Sequence, residues 1–272
     1  MKKILYSVFL AALLLPLAVS CNKEYNSEES FQDPRFAQYA CKLTPKADGE
    51  SIVSIELTES GLYILEKAVP GSSGKTSFSY GTYNVNGGVY SLNGFGTLAF
   101  DNSASGDVQL TITSSGGAAP QTVQATLSKA AGNNQFYRTW EVEKTRVTVR
   151  GWTTASADFT GCNFYEIADF LRRNNHKAPA DVDPGYGLKN VVFTGNNSAI
   201  FVYTDETLDR SEFSLDGESL SYSWENDTLG FTFITDKAKV EYMDGKCLLR
   251  VDAQIQNSTT SGSVTFVLAP VD

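Results

Sequence analysis

His176 is the only histidine in the 272 residues, and that one count decides much of what the chain can do chemically. A serine–histidine or cysteine–histidine couple would have to pass through it, and no nucleophile elbow stands anywhere to receive it. Zinc would need sulfur or carboxylate ligands around it, and no paired His or Cys spacing is present. Carboxylates are plentiful, among them Asp205, Glu206, Asp209, Glu212, Asp216 and Glu218. Two facing each other would suffice for glycoside hydrolysis, but these fall in turns and on outward parity, where solvated charge is the ordinary state. "DVDPGYG" from Asp181 carries oxygens that calcium could use, yet it lacks the EF-hand spacing, and Asp-Pro-Gly turns a chain without help. No glycine loop of the phosphate-cradling kind occurs. The expectation is a non-enzymatic protein with no metal and no cofactor.

Aromatic side chains are what remains for binding. Trp140, Trp152, Trp224, Tyr186, Tyr203 and Tyr222 would line a pocket or a sugar-binding face, or else fill the core of a small barrel. Trp140 alternates with Val142, which puts both on the inward face of one strand. Phe164, Ile167, Ala168 and Leu171 share one face of a helix that begins with the capping pattern Asn163…Glu166 and is stopped by Pro179. These residues form either a packed interior or the wall of an apolar pocket, and the supply of large side chains favours packing.

The elements that position these residues are mostly strands. "SIVSIELTESGLYILEK" from Ser51 alternates, turns at Glu59-Ser60-Gly61 and alternates again. "YNVNGGVYSL" from Tyr83 places Asn86-Gly87 in a tight hairpin. The second half repeats this order: "NVVFTGNNSAIFVYT" from Asn190 sets Thr194 where Thr58 falls. "FSLDGESLS" from Phe213 sets Asp216-Gly217 where Asn86-Gly87 falls, and "SVTFVLAPV" answers "TVQATLSKA". Two homologous antiparallel β-meander modules follow, residues 36–130 and 136–272, with one short helix at 163–175 in the second. A meander of about eight strands closes into a barrel and so removes its edges.

The first twenty residues read as a secretory leader, Lys2 and Lys3 preceding an apolar run from Ile4 to Val19. Ala18 and Ser20 before Cys21 resemble the lipobox of bacterial lipoproteins, which implies cleavage before Cys21 and its acylation; the alternative is an ordinary leader with Cys21 left as a thiol. Residues 21–35 are polar and acidic and read as a flexible tether. Asn22-Lys23-Glu24 resembles the signal that sends lipoproteins of the Bacteroidetes to the cell surface. The implied location is the outer membrane, with the lipid anchor as the membrane contact. Without the leader the net charge is −11, 20 basic against 31 acidic side chains, and this excludes a basic footprint for nucleic acid.

Trp140 on an opening strand, a meander with Gly/Asn/Asp turns and a closing apolar strand resemble the lipocalin-like domains of Bacteroidetes lipoproteins. The resemblance implies two tandem lipocalin-like barrels and a binding or structural role, with a small apolar ligand or, alternatively, a glycan. Arg138-Thr139-Trp140 stands where true lipocalins open with Gly-x-Trp. Asp227-Thr228-Leu229 resembles the O-glycosylation acceptor of the same bacteria, with Thr228 as the modified residue. Of the other cysteines, Cys41, Cys162 and Cys247, the pair Cys162–Cys247 shares a module and is the expected disulfide; three buried reduced thiols are the other reading.

Overall fold

Alternating side chains, punctuated by turns that tolerate positive φ, fold the chain into eighteen strands and two short helices among the described residues. The computed structural model describes residues 34–46, 51–132, 134–151, 153–222, 231–255 and 261–271. Cys21, Trp152, Trp224 and Thr228 lie outside the described residues. A one-turn helix, α1 (Pro34–Ala37), precedes β1 (Cys41–Pro45), β2 (Ile52–Leu57), β3 (Leu62–Ala68), β4 (Thr76–Asn86), β5 (Val89–Leu92), β6 (Gly96–Ala99), β7 (Gly106–Ser114) and β8 (Gln121–Lys129). These eight form a closed antiparallel barrel, because β1 pairs on both sides: Leu43 lies opposite Ile55 of β2 and Leu127 of β8.

The second module comprises β9 (Thr139–Arg150), β10 (Thr154–Thr160), β11 (Cys162–Asn163), helix α2 (Phe164–Arg173), β12 (Gly187–Phe193), β13 (Ser198–Tyr203), β14 (Leu208–Asp216), β15 (Ser219–Tyr222), β16 (Phe231–Met243), β17 (Lys246–Ile255) and β18 (Ser261–Pro270). Strand β9 joins both ends of this sheet. One edge runs along β18 from Trp140–Pro270 to Arg150–Ser261, and the other meets β12 at Thr139–Val192, Trp140–Val191 and Glu141–Asn190. Eight strands, β9 and β12–β18, thus close a second barrel. Beyond that short seam β9 gives Lys144–Arg150 to β10 instead.

The two modules use the same turn. Thr58 and Thr194 each donate a backbone N–H to the residue four places on (Leu62 O at 2.8 Å, Ser198 O at 3.0 Å). Each threonine hydroxyl accepts that residue's amide in return, at 3.0 and 3.3 Å. The third residue after each threonine is left-handed, Gly61 at φ 77° and Asn197 at φ 61°, which asparagine tolerates better than most residues. The carbonyls of these two then accept the amides of Tyr83 and Phe213, at 3.0 and 2.9 Å. The hairpin expected at Asn86-Gly87 closes one residue later. Asn86 pairs with Val89, and Gly87 and Gly88 take the two central places at φ 57° and 82°. A Gly-Gly pair meets the positive-φ demand of a tight hairpin at no steric cost, so the strand keeps Asn86.

The expected Cys162–Cys247 disulfide is corrected: both residues are free thiols, as is Cys41. Cys247 pairs with Leu268 on β18, and Leu268 with Val142 on β9. Cys162 lies beyond β9, where the neighbouring Gly161 N–H donates to Glu143 O at 2.7 Å. Two strand spacings of about 4.8 Å therefore already exceed the ~7 Å that a disulfide spans between Cα atoms. Burial pushes all three thiols up to about 12, so they pack as small apolar groups.

The barrels touch along their matching hairpins. Ile64 of β3 packs with Val192, Ile200 and Val202, joined by Leu62, Phe78 and Leu208. This contact buries both faces of β2. Ile55 and Leu57 face the barrel core, while Ser54 and Glu56 on the outer face are covered as well.

Candidate functional site: an open cleft beside helix α2

Large side chains are buried in both interiors. In the first barrel Tyr83 and Tyr90 are each 1 % exposed, with Phe100 stacked on Tyr90 at 4.6 Å. In the second, Trp140, Val142, Phe164, Ile167 and Leu171 all belong to one buried core that also holds Phe193, Phe201 and Phe213. The Trp140 indole N–H donates to Phe136 O at 3.0 Å, which satisfies its polar edge inside that core. Helix α2 lays Phe164, Ile167, Ala168 and Leu171 against the same cluster. Its start is held by Asn163, whose Oδ1 accepts the Glu166 amide at 3.0 Å while Nδ2 donates to Pro184 O at 2.7 Å. His176, beyond the helix end, is half-buried.

An open cleft of about 520 Å³ lies at the start of β12 and the end of β13, lined by Asp183, Gly185, Tyr186, Thr204 and Asp205. The β12–β13 pairing brings the two sequence segments together, with Leu188 opposite Tyr203. Thr204 locks them: its hydroxyl donates to Gly185 O at 2.6 Å and accepts the Gly187 amide at 3.0 Å. Gly187 has to be glycine, because a Cβ there would stand 2.2 Å from Cys162 O. Tyr186 is half-buried and stacks on Tyr203 with ring centroids 5.3 Å apart and 27° between planes. Phe164 meets both rings edge-on, at 5.4 and 6.1 Å. The aromatic wall is therefore fixed by the core rather than by the loop.

The polar wall is fixed locally. Asp183 Oδ1 accepts the Gly185 amide at 2.7 Å. Asp205 Oδ1 accepts both the hydroxyl and the amide of Thr207, at 2.6 and 3.0 Å, and these bonds hold its carboxyl below the usual carboxylate range. Asp205 thus stays ionised and serves as a hydrogen-bond acceptor, not as a proton donor. Gathering Asp183 and Asp205 on one wall required the fold: in the sequence the first sits in a turn motif and the second among solvated acids. Of the aromatics named from sequence that fall among the described residues, Tyr186 alone lines the cleft; Trp140, Tyr203 and Tyr222 are buried in the core. No group of three metal-ligating side chains occurs among the described residues.

Compared with protein-family models and with curated proteins, the chain matches none.

Proposed function

We propose that this chain is a lipid-anchored envelope protein with a non-enzymatic binding role. Its two barrels serve as a packed scaffold, and its ligand is a small polyhydroxyl compound such as a glycan fragment, held in the cleft beside α2. The observation that carries this reading is the contrast between interior and cleft: the second barrel's core is occupied by its own aromatic rings, whereas the cleft opens to solvent. An apolar ligand would need the space those rings take. A sugar needs what the cleft has, one rigid aromatic surface in Tyr186 and carboxylate acceptors for hydroxyl donors in Asp183 and Asp205. Asp205, held ionised, suits an acceptor and not the protonated acid of a glycosidase. The anchor rests on Cys21 behind its apolar leader, and the outer membrane location on the likeness to Bacteroidetes lipocalin-like lipoproteins.

The test is a titration of the full chain with mono- and oligosaccharides, followed by amide chemical shifts, alongside a titration with an environment-sensitive apolar dye. Saturable shifts confined to residues 183–187 and 203–207, lost in Tyr186→Ala, are expected, with no stoichiometric dye binding. Saturable dye binding that Leu171→Trp abolishes without unfolding would overturn the packed-scaffold reading. In a separate fractionation, Cys21→Ser is expected to release the protein from membranes; retention would overturn the anchor.

A further inference from the structure

Where the barrels meet, the first barrel buries two carboxylates. Glu56 and Glu59 are each 2 % exposed. Glu56 Oε1 accepts the Thr194 hydroxyl and, at 3.4 Å, the Asn196 amide group; its Oε2 is buried with no hydrogen-bond partner among the described residues. Glu59 Oε1 accepts the Gly195 N–H at 3.0 Å, and the same glycine's carbonyl accepts the Ala131 amide at 2.7 Å. Ser60 and Thr139 bridge the barrels beside them at 3.2 Å.

Neither carboxylate has an ion-pair partner among the described residues. The titratable and charged groups on the surrounding described elements are these, and none is within ion-pair distance of either carboxylate. From β1 come the Cys41 thiol and Lys42, the register partner of Glu56. From β3 comes Ile64, and from β4 Tyr83, whose hydroxyl donates to Thr58 O at 3.0 Å. Lys129, at the end of β8, is bound to Asn102. Ahead of β9 stand Tyr137 and Arg138, the latter with its guanidinium over Trp140 at 5.5 Å. The turn 194–197 holds no titratable group, and Arg210 of β14 donates to Ser198 at 2.9 Å.

The local turn does not require these acids. The second module makes the same turn with Val192 and Gly195 where the first has Glu56 and Glu59, by the spacing that equates Thr58 with Thr194. The carboxylates belong to the joint, not to the hairpin that carries them. An ionised Glu59 here loses its hydration and stands near a second buried carboxyl, with no ion pair among the described residues to offset either cost. We propose that the joint between the barrels is proton-operated: docking takes up a proton on Glu59, and loss of that proton in base loosens the contact. Burial pushes Glu59 up to about 7 from the ordinary 4.5, so the docking equilibrium weakens as pH rises through that interval, by up to about 300-fold.

The test uses the full chain with carboxyl-labelled glutamate. Glu59 is expected to titrate near 7 by carbon-13 chemical shift. Protection of the Gly195 and Ala131 amides, corrected for intrinsic exchange, is expected to fall more than about tenfold between pH 5 and pH 8. Glu59→Gln, which keeps an acceptor for Gly195 but no charge, should leave that protection flat with pH. A Glu59 carboxyl titrating in the ordinary range, or protection that falls equally in wild type and Glu59→Gln, would overturn the proposal. Should the variant fail to fold, the wild-type titration and exchange decide alone.

Discussion

Gly195→Ala tests how tightly the joint is built. A Cβ at this position would stand 2.5 Å from Glu59 Oε1, 2.6 Å from Ala131 O and 3.0 Å from Ala130 Cβ. The backbone at Gly195 is not left-handed, so alanine introduces crowding without conformational strain. Glu59, at 2 % exposure, has no solvent to swing into, and the Ala131 carbonyl is backbone. Overpacking of this kind costs about 1–3 kcal/mol, and displacing the carboxyl from the Gly195 amide about 1 kcal/mol more. The expected loss is about 2–4 kcal/mol, a thermal midpoint lower by roughly 5–12 °C at this chain length. Gly132→Ala is the matched control. It follows Ala131 in the segment between β8 and β9, has nothing within 4 Å of its would-be Cβ, and should be neutral or stabilising by up to about 1 kcal/mol. Urea unfolding at pH 6, read by tryptophan fluorescence, compares the two. If Gly195→Ala proves as stable as Gly132→Ala, the barrels are not joined through this turn.

The wild-type stability profile should carry the same signature. Glu59 rises from 4.5 to about 7 on folding, so the unfolded chain gives up the proton first. The contribution of Glu59 is whole below about pH 4.5, falls up to about pH 7, and is then lower by about 3 kcal/mol; denaturant midpoints of wild type against Glu59→Gln across that range measure it. The thiols of Cys41, Cys162 and Cys247, pushed up to about 12 and buried, should resist a thiol reagent at pH 8 in the folded protein and react without reductant once it is unfolded. A disulfide would leave two of them silent in both states. Asn163→Ala removes the helix cap and the bond to Pro184 together, for a loss of about 1–2 kcal/mol visible in the thermal midpoint.

Strand alternation and the recurrence of Thr58 as Thr194 made two barrels legible, because a barrel's inward positions are local in sequence and its turns demand particular residues. The helix start was legible at Asn163 for the same reason: a cap acts over three residues. Glu56 was not. Its parity with Ser54 marks an outer face, and only the arrival of a second barrel turns that face inward, an event no local pattern records. The cleft was half legible. Asp183 and Asp205 could be seen as exposed acids, but their shared wall depends on the β12–β13 register and on the threonine that pins one segment to the other. The disulfide failed because sharing a module says nothing about how many strands stand between two cysteines.

The role of β9 bears on the order in which the chain can acquire its shape. All strands of the first barrel exist once Lys129 has been made, since β1 needs only β2 and β8. Strand β9 pairs with β18 along nearly its whole length, so the second barrel stays open until Ser261–Pro270 has been synthesised. During that interval Ile64 and Phe78 present an apolar patch that β12 and β13 have yet to cover. Glu56 and Glu59 stand beside that patch, not yet covered by the second barrel. Charge beside an exposed apolar patch is a general means of disfavouring association between half-made chains. The second barrel, once closed, meets those two acids with the Thr194 hydroxyl and the Gly195 amide.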